Sequence, residues 1–197
     1  MKRARARGRG GVFTPSDFLD VAGRSAIDQA LSRLTRSGQL RRLARGLYDF
    51  PKVHPKLGPL SPAPDDVAEA LARETGSQVQ ISGARAANAL GLSTQVQAKS
   101  TYLTDGPSRR VVLGNRVVDL RHASPKHLIA PGSPAGTVVQ ALRHVGAVRA
   151  ADVAQVAARR LSAHDKKTLA STAVQAPAWM RATLASIANT VSGDIDG

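Results

Sequence analysis

The sequence contains no cysteine among its 197 residues, which excludes disulfide bonds and thiolate metal ligands. No apolar run approaches the roughly twenty residues that a membrane-spanning helix needs. The amino terminus is basic and has no apolar segment behind it, so no secretory signal peptide is predicted. We therefore expect a cytoplasmic protein with no membrane partner.

Catalytic and metal-binding patterns are also missing. The chain has no phosphate-binding glycine loop and no recognisable catalytic triad. Its histidines are scattered, without carboxylates at the spacing of a metal site, and are typical of surface or packing positions. They are His54, His122, His127, His144 and His164. We predict no enzyme activity, no cofactor and no metal site.

Acidic residues are few. The chain has 14 Asp and Glu against 28 Lys and Arg, a formal net charge of +14 at pH 7. Residues 1–56 carry thirteen basic and four acidic side chains, a net +9, and residues 57–197 carry the remaining +5. An excess this large favours a polyanionic partner, although it does not specify a fold.

A helix start signal precedes Gly23. It combines a capping threonine, a proline at the first helical position, an aspartate acceptor and two aromatic staple positions. Its members are Phe13, Thr14, Pro15, Asp17 and Phe18. The pattern predicts a short helix that buries Phe18, Leu19 and Val21 and ends before Gly23.

A second helix is predicted directly after this glycine. Ser25 and Asp28 have the spacing of a capping box, and Gly38 is suited to end the helix. The predicted core residues are Ala26, Ile27, Ala30, Leu31 and Leu34. The opposite face mixes amide, hydroxyl and guanidinium groups, which can reach base edges and phosphates in a major groove. The predicted DNA-contacting residues of this helix are Arg24, Ser25, Gln29, Ser32, Arg33 and Arg36.

Residues 40–50 are predicted to form a basic hairpin. Two runs with apolar residues are separated by Arg45 and Gly46, and a glycine there is typical of a turn. Protruding guanidinium groups suit phosphate contact or insertion into a minor groove, and the candidates are Arg41, Arg42 and Arg45. Helix, turn, helix and hairpin in this order predict a winged helix-turn-helix over residues 1–50. A basic helix that merely presents a solvated face is the alternative interpretation.

Residues 1–11 hold almost no apolar surface, although a winged helix normally has one more helix at this place. We expect that helix to be absent, or the true start to lie upstream. The basic side chains of the segment suit contact with a phosphate backbone or minor groove, and a solvated, disordered tail is an equally good interpretation. They are Lys2, Arg3, Arg5, Arg7 and Arg9.

The remaining sequence predicts a linker and a second domain. Five prolines within residues 51–64 indicate an extended connector, and residues 65–191 are predicted to form the second domain, with a polar tail at 192–197. Predicted helices cover about 65–75, 82–90, 133–145, 150–161, a segment capped at Ser162, and a last one from Pro177. Predicted strands cover 100–104, 109–113 and 116–121 as an antiparallel meander. The predicted fold class is α+β, mainly helical: a winged helix-turn-helix, then a helical domain with a small three-stranded antiparallel sheet.

The last predicted helix carries a stripe of large apolar residues at helical spacing. They are Trp179, Met180, Leu184, Ile187 and Val191. Such a stripe is most often core, so we predict that Trp179 and Met180 are buried. A partner-facing stripe is the alternative, because aromatic and Met side chains are favoured at protein interfaces.

Several segments resemble the AbiEi-type antitoxins of bacterial type IV toxin–antitoxin systems, and the likeness spans nearly the whole chain. The most specific are Val12-Phe-Thr-Pro-Ser-Asp-Phe18, Ala30-Leu-Ser-Arg-Leu34, Gly38-Gln-Leu-Arg-Arg-Leu-Ala-Arg-Gly-Leu-Tyr48, His54-Pro-Lys-Leu-Gly-Pro-Leu60 and Tyr102-Leu-Thr-Asp-Gly-Pro107. The resemblance implies an amino-terminal winged helix that binds the operon's own promoter DNA. It also implies a carboxy-terminal domain that neutralises a nucleotidyltransferase toxin, by direct contact or functionally.

The chain lacks the toxin's own signature. A bacterial nucleotidyltransferase would show a Gly-Ser pair followed closely by an Asp-x-Asp that holds divalent metals. Gly132 and Ser133 have no such pair after them, and Asp194 and Asp196 lie in the polar tail. We therefore expect an antitoxin. The alternatives are a transcription regulator with a helical effector or dimerisation domain and no toxin partner, and a nucleic-acid-binding accessory module of a larger machine.

Overall fold

The computed structural model describes residues 1–94 and 98–190. The described residues form a mixture of helices and small sheets, with eight α-helices and about half of the residues helical. The chain divides into two units, each discontinuous in sequence. Unit 1 comprises Met1–Ser77 with Gly106–Leu120, and unit 2 comprises Gln78–Asp105 with Arg121–Gly197. This division differs from the predicted boundaries at 50 and 64, because residues 64–77 and 106–120 belong with the amino-terminal part.

Unit 1 begins with helices and short strands in alternation. Its elements are α1 (Lys2–Ala6), β1 (Val12–Phe13), a 3-10 helix (Pro15–Phe18), α2 (Arg24–Arg36), β2 (Arg41–Ala44), β3 (Leu47–Asp49), β4 (Val53–His54), β5 (Gly58–Pro59) and α3 (Pro64–Thr75). Farther along the chain it adds β8 (Arg109–Leu113) and residues 116–120 of β9 (Arg116–His122). The predicted proline-rich linker thus contains a two-stranded hairpin, β4 with β5.

The first sheet has the strand order β1-β3-β2, all antiparallel. Tyr48 of β3 lies opposite both Phe13 and Arg42, so β3 is the central strand. The core behind it consists of Ala4, Phe13, Ile27, Leu31, Leu40 and Tyr48. Since these side chains come from α1, α2 and the strands, one small core joins the whole amino-terminal segment.

Local signals at the ends of these elements are confirmed in several places. The Thr14 amide donates to Asp17 Oδ2 at 2.8 Å, and the rings of Phe13 and Phe18 lie 6.0 Å apart, as expected of a capped and stapled start. Gly38 follows α2 at a φ of +70°. The amides beyond the helix end donate back to the carbonyls of Leu34 and Thr35, which is a Schellman motif.

The predicted absence of a helix before Gly11 is wrong, because residues 2–6 form α1. Its one buried side chain, Ala4, is only 2% exposed. Two arginines here form ion pairs within unit 1: Arg3 of α1 pairs with Asp20 at 2.5 Å, and Arg7, directly after α1, pairs with Asp17 at 2.9 Å. A segment with little apolar surface therefore docks through ionic contacts.

The first predicted helix is also shorter than expected. Only Pro15–Phe18 is helical, in the 3-10 form, and the chain then turns. Leu19 is 51% exposed and Val21 is 70% exposed, so the prediction that both are buried is wrong. The capping box at Ser25 is wrong as well, because α2 starts earlier, after Gly23, and Asp28 instead pairs with Arg24 at 3.1 Å. Of the predicted α2 core, Ile27 and Leu31 are buried, whereas Ala26 is exposed.

Unit 2 is mostly helical. Its elements are β6 (Val79–Ile81), α4 (Ala84–Ala89), β7 (Lys99–Thr104), α5 (Pro134–Val145), α6 (Ala150–Arg160), α7 (Ala163–Thr172) and α8 (Ala178–Asn189). Short 3-10 helices cover Pro125–His127, Ala147–Arg149 and Ala173–Gln175. The largest buried side chains of its core are Ile129, Leu142, Leu169, Met180, Leu184 and Ile187.

Two predicted helix starts in unit 2 are confirmed. Ser133 Oγ accepts from the amide of Gly136 at 3.0 Å, and Ser162 Oγ accepts from the amide of Asp165 at 3.1 Å. Trp179 is 43% exposed, so its predicted burial is wrong, whereas Met180 is fully buried. The last turn of the final predicted helix, with Val191, and the predicted tail lie outside the described residues.

The predicted three-stranded meander is incomplete. Its three strands are present and β8 pairs with β9, but β7 also pairs with a strand that was not predicted. The missed strand is β6, whose Val79 and Ile81 lie opposite Thr104 and Tyr102 of β7. Three residues are too short for an alternating pattern to be recognised, so only the pairing partner defines this strand. Within the described residues, none of the helices combines the length and apolar character needed to cross a membrane.

Candidate nucleic-acid interface

The outward face of α2 forms a broad, shallow depression of about 780 Å³. The residues that line it are Arg24, Ser25, Asp28, Gln29, Ser32, Arg33 and Arg36. All are exposed except Ser32, which is partly buried. The structure thus brings together all six residues predicted for this helix and adds Asp28. Positions 29, 33 and 36 follow one another at helical spacing, so their side chains project side by side.

The charged groups of this face differ in how they are held. Arg24 Nε lies 3.1 Å from Asp28 Oδ2, an i,i+4 pair on the helix surface. Within the described part of the chain, the side chains of Gln29, Arg33 and Arg36 form no hydrogen bond or ion pair. Their donors therefore point to solvent and are available to a ligand, whereas Arg24 is partly neutralised by its own neighbour.

The β2–β3 hairpin is the second basic feature. It turns at Arg45 and Gly46, as predicted, with Gly46 at a φ of +70°, which L side chains rarely adopt. Arg42 and Arg45 are both exposed. The pairing shifts register between Arg42 and Ala44, close to the tip of the hairpin.

Arg41 belongs to the same strand, but its guanidinium is held inside unit 1. It lies 2.5 Å from the carboxylate of Asp49, which is fully buried, and it donates to the carbonyl of Leu60 at 2.7 Å. A buried carboxylate needs such a partner. The structure therefore separates Arg41 from the other predicted DNA-contacting residues. Asp49 is the last residue of β3, and no pattern in the sequence indicates that it is buried.

Two residues of α3 make contacts that were not predicted. Arg73 lies 3.3 Å from Asp17 and donates to the Val12 carbonyl at 3.2 Å, which ties α3 to β1 and the 3-10 helix. Next to it, Glu74 accepts from Arg109 of β8 at 2.6 Å. These pairs join residues 35 to 61 positions apart, and no local sequence pattern indicates them.

The exposed ion pair between Arg3 of α1 and Asp20 changes the pKa of the aspartate. The hydrogen bond from Arg3 lowers the pKa of Asp20 below its ordinary value. Arg9 lies over the ring of Phe50, 4.9 Å from its centroid, and donates to the Pro51 carbonyl. Most arginines of the predicted basic arm are therefore engaged within unit 1.

Residues that could hold a metal ion are not clustered in the part of the chain that the structure describes. No group of three or more His, Asp or Glu side chains comes together there. The features that stand out in unit 1 are instead the polar face of α2 and the basic tip of the β2–β3 hairpin.

Comparison with known proteins places the chain in a family. The model of the Family of unknown function (DUF6088) matches residues 1–170. The chain belongs to this family. No curated protein matches it. Among solved structures, it is similar to the RV2827C protein from Mycobacterium tuberculosis, with 19% sequence identity, a TM-score of 0.45, and coverage of 92% of this chain and 78% of that chain.

Proposed function

We propose that the amino-terminal part of unit 1 is a winged helix that binds duplex DNA, with α2 in the major groove. The observation that carries this proposal is the outward face of α2, where Gln29, Arg33 and Arg36 project together without internal partners among the described residues. Amide and guanidinium groups on an exposed helix are the donors that recognise base edges and phosphates. The succession of α1, β1, a 3-10 helix, α2 and the β2–β3 hairpin supports the same assignment.

The proposed wing is the β2–β3 hairpin. Arg42 and Arg45 are exposed there and contact the phosphate backbone or enter a minor groove. Arg41 has a different role in this proposal, because its guanidinium neutralises buried Asp49. The wing therefore offers two DNA-facing arginines and one that stabilises the hairpin.

The biological role proposed is that of an antitoxin that represses its own operon. Its support is the resemblance to AbiEi-type antitoxins, which implies promoter binding by the amino-terminal part and neutralisation of a nucleotidyltransferase toxin by residues 65–191. The protein is then a cytoplasmic regulator without enzyme activity. A nucleotidyltransferase gene next to this one would favour this role over that of a transcription regulator with no toxin partner.

DNA binding is tested by fluorescence anisotropy with the operon's promoter fragment and a random duplex, each titrated at several salt concentrations. The wild-type chain is expected to prefer the promoter, with affinity falling steeply as salt rises, because each neutralised phosphate releases about 0.9 counterion. Gln29→Ala and Arg33→Ala should relax the sequence preference by roughly 1–3 kcal/mol per base-contacting residue. Arg42→Ala and Arg45→Ala should weaken both duplexes alike and flatten the salt slope.

Arg159→Ala is the matched control, since it removes the same charge from an exposed position in unit 2. It should leave the sequence preference unchanged. Equal losses on promoter and random DNA for all four test variants would contradict the assignment of α2 as the recognition helix. A wild-type chain with no preference for promoter at any salt concentration would remove the specific-repressor proposal.

A further inference from the structure

The tip of the β2–β3 hairpin is fastened from outside the amino-terminal segment. Arg109 of β8 donates through Nη2 to the carbonyl oxygen of Arg45 at 2.7 Å. The two residues are 64 positions apart in the chain, and β8 lies against β2. The backbone of the residue that carries the tip guanidinium is therefore held by a side chain from a distant strand.

Arg109 is itself held in place by an acid. Its Nη1 lies 2.6 Å from Glu74 Oε2, and both side chains are partly buried, with exposures of 32% and 22%. The same carboxylate lies directly beneath the turn, since a Cβ placed on Gly46 would be 3.8 Å from Glu74 Oε1. Glu74, Arg109 and the Arg45 carbonyl thus form a chain of contacts at the base of the tip.

We propose that Arg109, oriented by Glu74, is a positioning residue that sets the hairpin tip for contact with DNA phosphate. This inference rests on the proposed DNA-binding function and extends it to β8, well beyond residues 1–50. A guanidinium that donates to a backbone carbonyl and to a carboxylate at once has little freedom, because its planar fork fixes both directions. The Arg45 backbone is then ordered before DNA arrives, which lowers the entropic cost of the contact.

Removal of the Glu74 charge distinguishes a positioning role from a purely electrostatic effect on DNA affinity. Glu74→Gln removes a negative charge from the DNA-binding unit, so electrostatics alone predicts tighter binding. Loss of positioning predicts the opposite, because Arg109 loses its ionic anchor. Asp20→Asn is the matched control, since it also removes a carboxylate that pairs with an arginine in unit 1, but that pair joins α1 to residues after the 3-10 helix.

The expected result is that Glu74→Gln weakens binding to promoter and random duplex alike, by roughly five- to tenfold, and lowers the salt slope by about 0.9, the value for one phosphate. Asp20→Asn should bind as tightly as wild type or slightly more tightly. The Glu74→Gln, Arg109→Gln double variant keeps the wild-type net charge and should show the same loss as Glu74→Gln alone. In an Arg45→Ala background, Glu74→Gln should cause no further loss of affinity, because the contact that Glu74 supports is already absent.

A second readout needs no DNA. Amide hydrogen exchange in the peptide that covers residues 41–49 should accelerate in Glu74→Gln and in the double variant but not in Asp20→Asn, while exchange in α2 stays at the wild-type rate. Unchanged exchange in this peptide, or binding by Glu74→Gln as tight as that of Asp20→Asn, would overturn the inference. Absence of DNA binding by the wild-type chain would refute the proposed function instead, and hydrogen exchange would still decide whether Arg109 orders the hairpin.

Discussion

Arg41→Ala is expected to destabilise unit 1 without removing a DNA contact. The carboxylate of Asp49 is fully buried and lies 2.5 Å from the Arg41 guanidinium, whose side chain is 33% exposed. Removal of one partner of a buried ion pair costs about 3–5 kcal/mol of unfolding free energy, because the other charge stays in the interior. Since water reaches a third of the Arg41 side chain, we expect the lower end of this range, about 3 kcal/mol.

The measurement is urea unfolding followed by far-UV circular dichroism. Fluorescence of the single tryptophan is unsuitable, because Trp179 lies in unit 2 and reports that unit. Arg42→Ala is the control: it removes the same residue type from an exposed position of the same strand and should change the unfolding free energy by less than about 0.5 kcal/mol.

In DNA binding the ranking of the two variants should be reversed, with the larger effect in Arg42→Ala. At urea-free conditions where both are folded, Arg41→Ala should keep the wild-type salt slope, whereas Arg42→Ala should lower it by about 0.9. If Arg41→Ala flattened the salt slope while its unfolding free energy stayed within about 0.5 kcal/mol of wild type, the guanidinium would be a phosphate ligand and the structural role argued from Asp49 would be refuted.

Two further predictions concern the role of the chain and the pH dependence of unit 2. The full-length Arg33→Ala, Arg36→Ala, Arg45→Ala variant should fail to repress its promoter yet still rescue growth when the cognate nucleotidyltransferase is induced; loss of rescue in a folded, abundant variant would contradict the division of roles. Burial, with the nearby charges of Arg143 and Lys126, lowers the pKa of His127 below its ordinary value of 6.5. The unfolded chain therefore binds the proton more tightly, so unfolding free energy should fall as pH drops below about 6.5, and His127→Gln should remove this part of the pH dependence in urea titrations.

The elements of the proposed interface were predictable where the deciding interactions are local. The Thr14–Asp17 contact spans three residues, and the glycines after α2 and at the hairpin turn adopt positive φ because of their own chemistry. The outward face of α2 also follows from helical period alone, once Ile27 and Leu31 are identified as core. The polar residues that carry the proposed function are therefore grouped on one face by the sequence itself.

The roles of individual arginines could not be assigned in the same way. Arg3, Arg33 and Arg41 are chemically identical, and each lies in a basic stretch of sequence. Arg3 pairs with Asp20, Arg41 with buried Asp49, and only Arg33 projects from the face of α2 without an internal partner among the described residues. All three contribute equally to the net charge. The electrostatic interaction energy of each guanidinium, however, depends on which carboxylate the fold brings within about 4 Å.

The amino-acid sequence by itself determined the helix and turn signals, the amphipathic face of α2 and the concentration of positive charge before residue 57. Only the tertiary structure decided that α1 forms, that residues 64–77 and 106–120 belong to the same unit as α2, and that Arg109 reaches the carbonyl of Arg45. The physical reason is range: caps, glycine turns and helical period act over a few residues, while ion pairs and sheet edges join positions tens of residues apart that become neighbours only once the chain has folded.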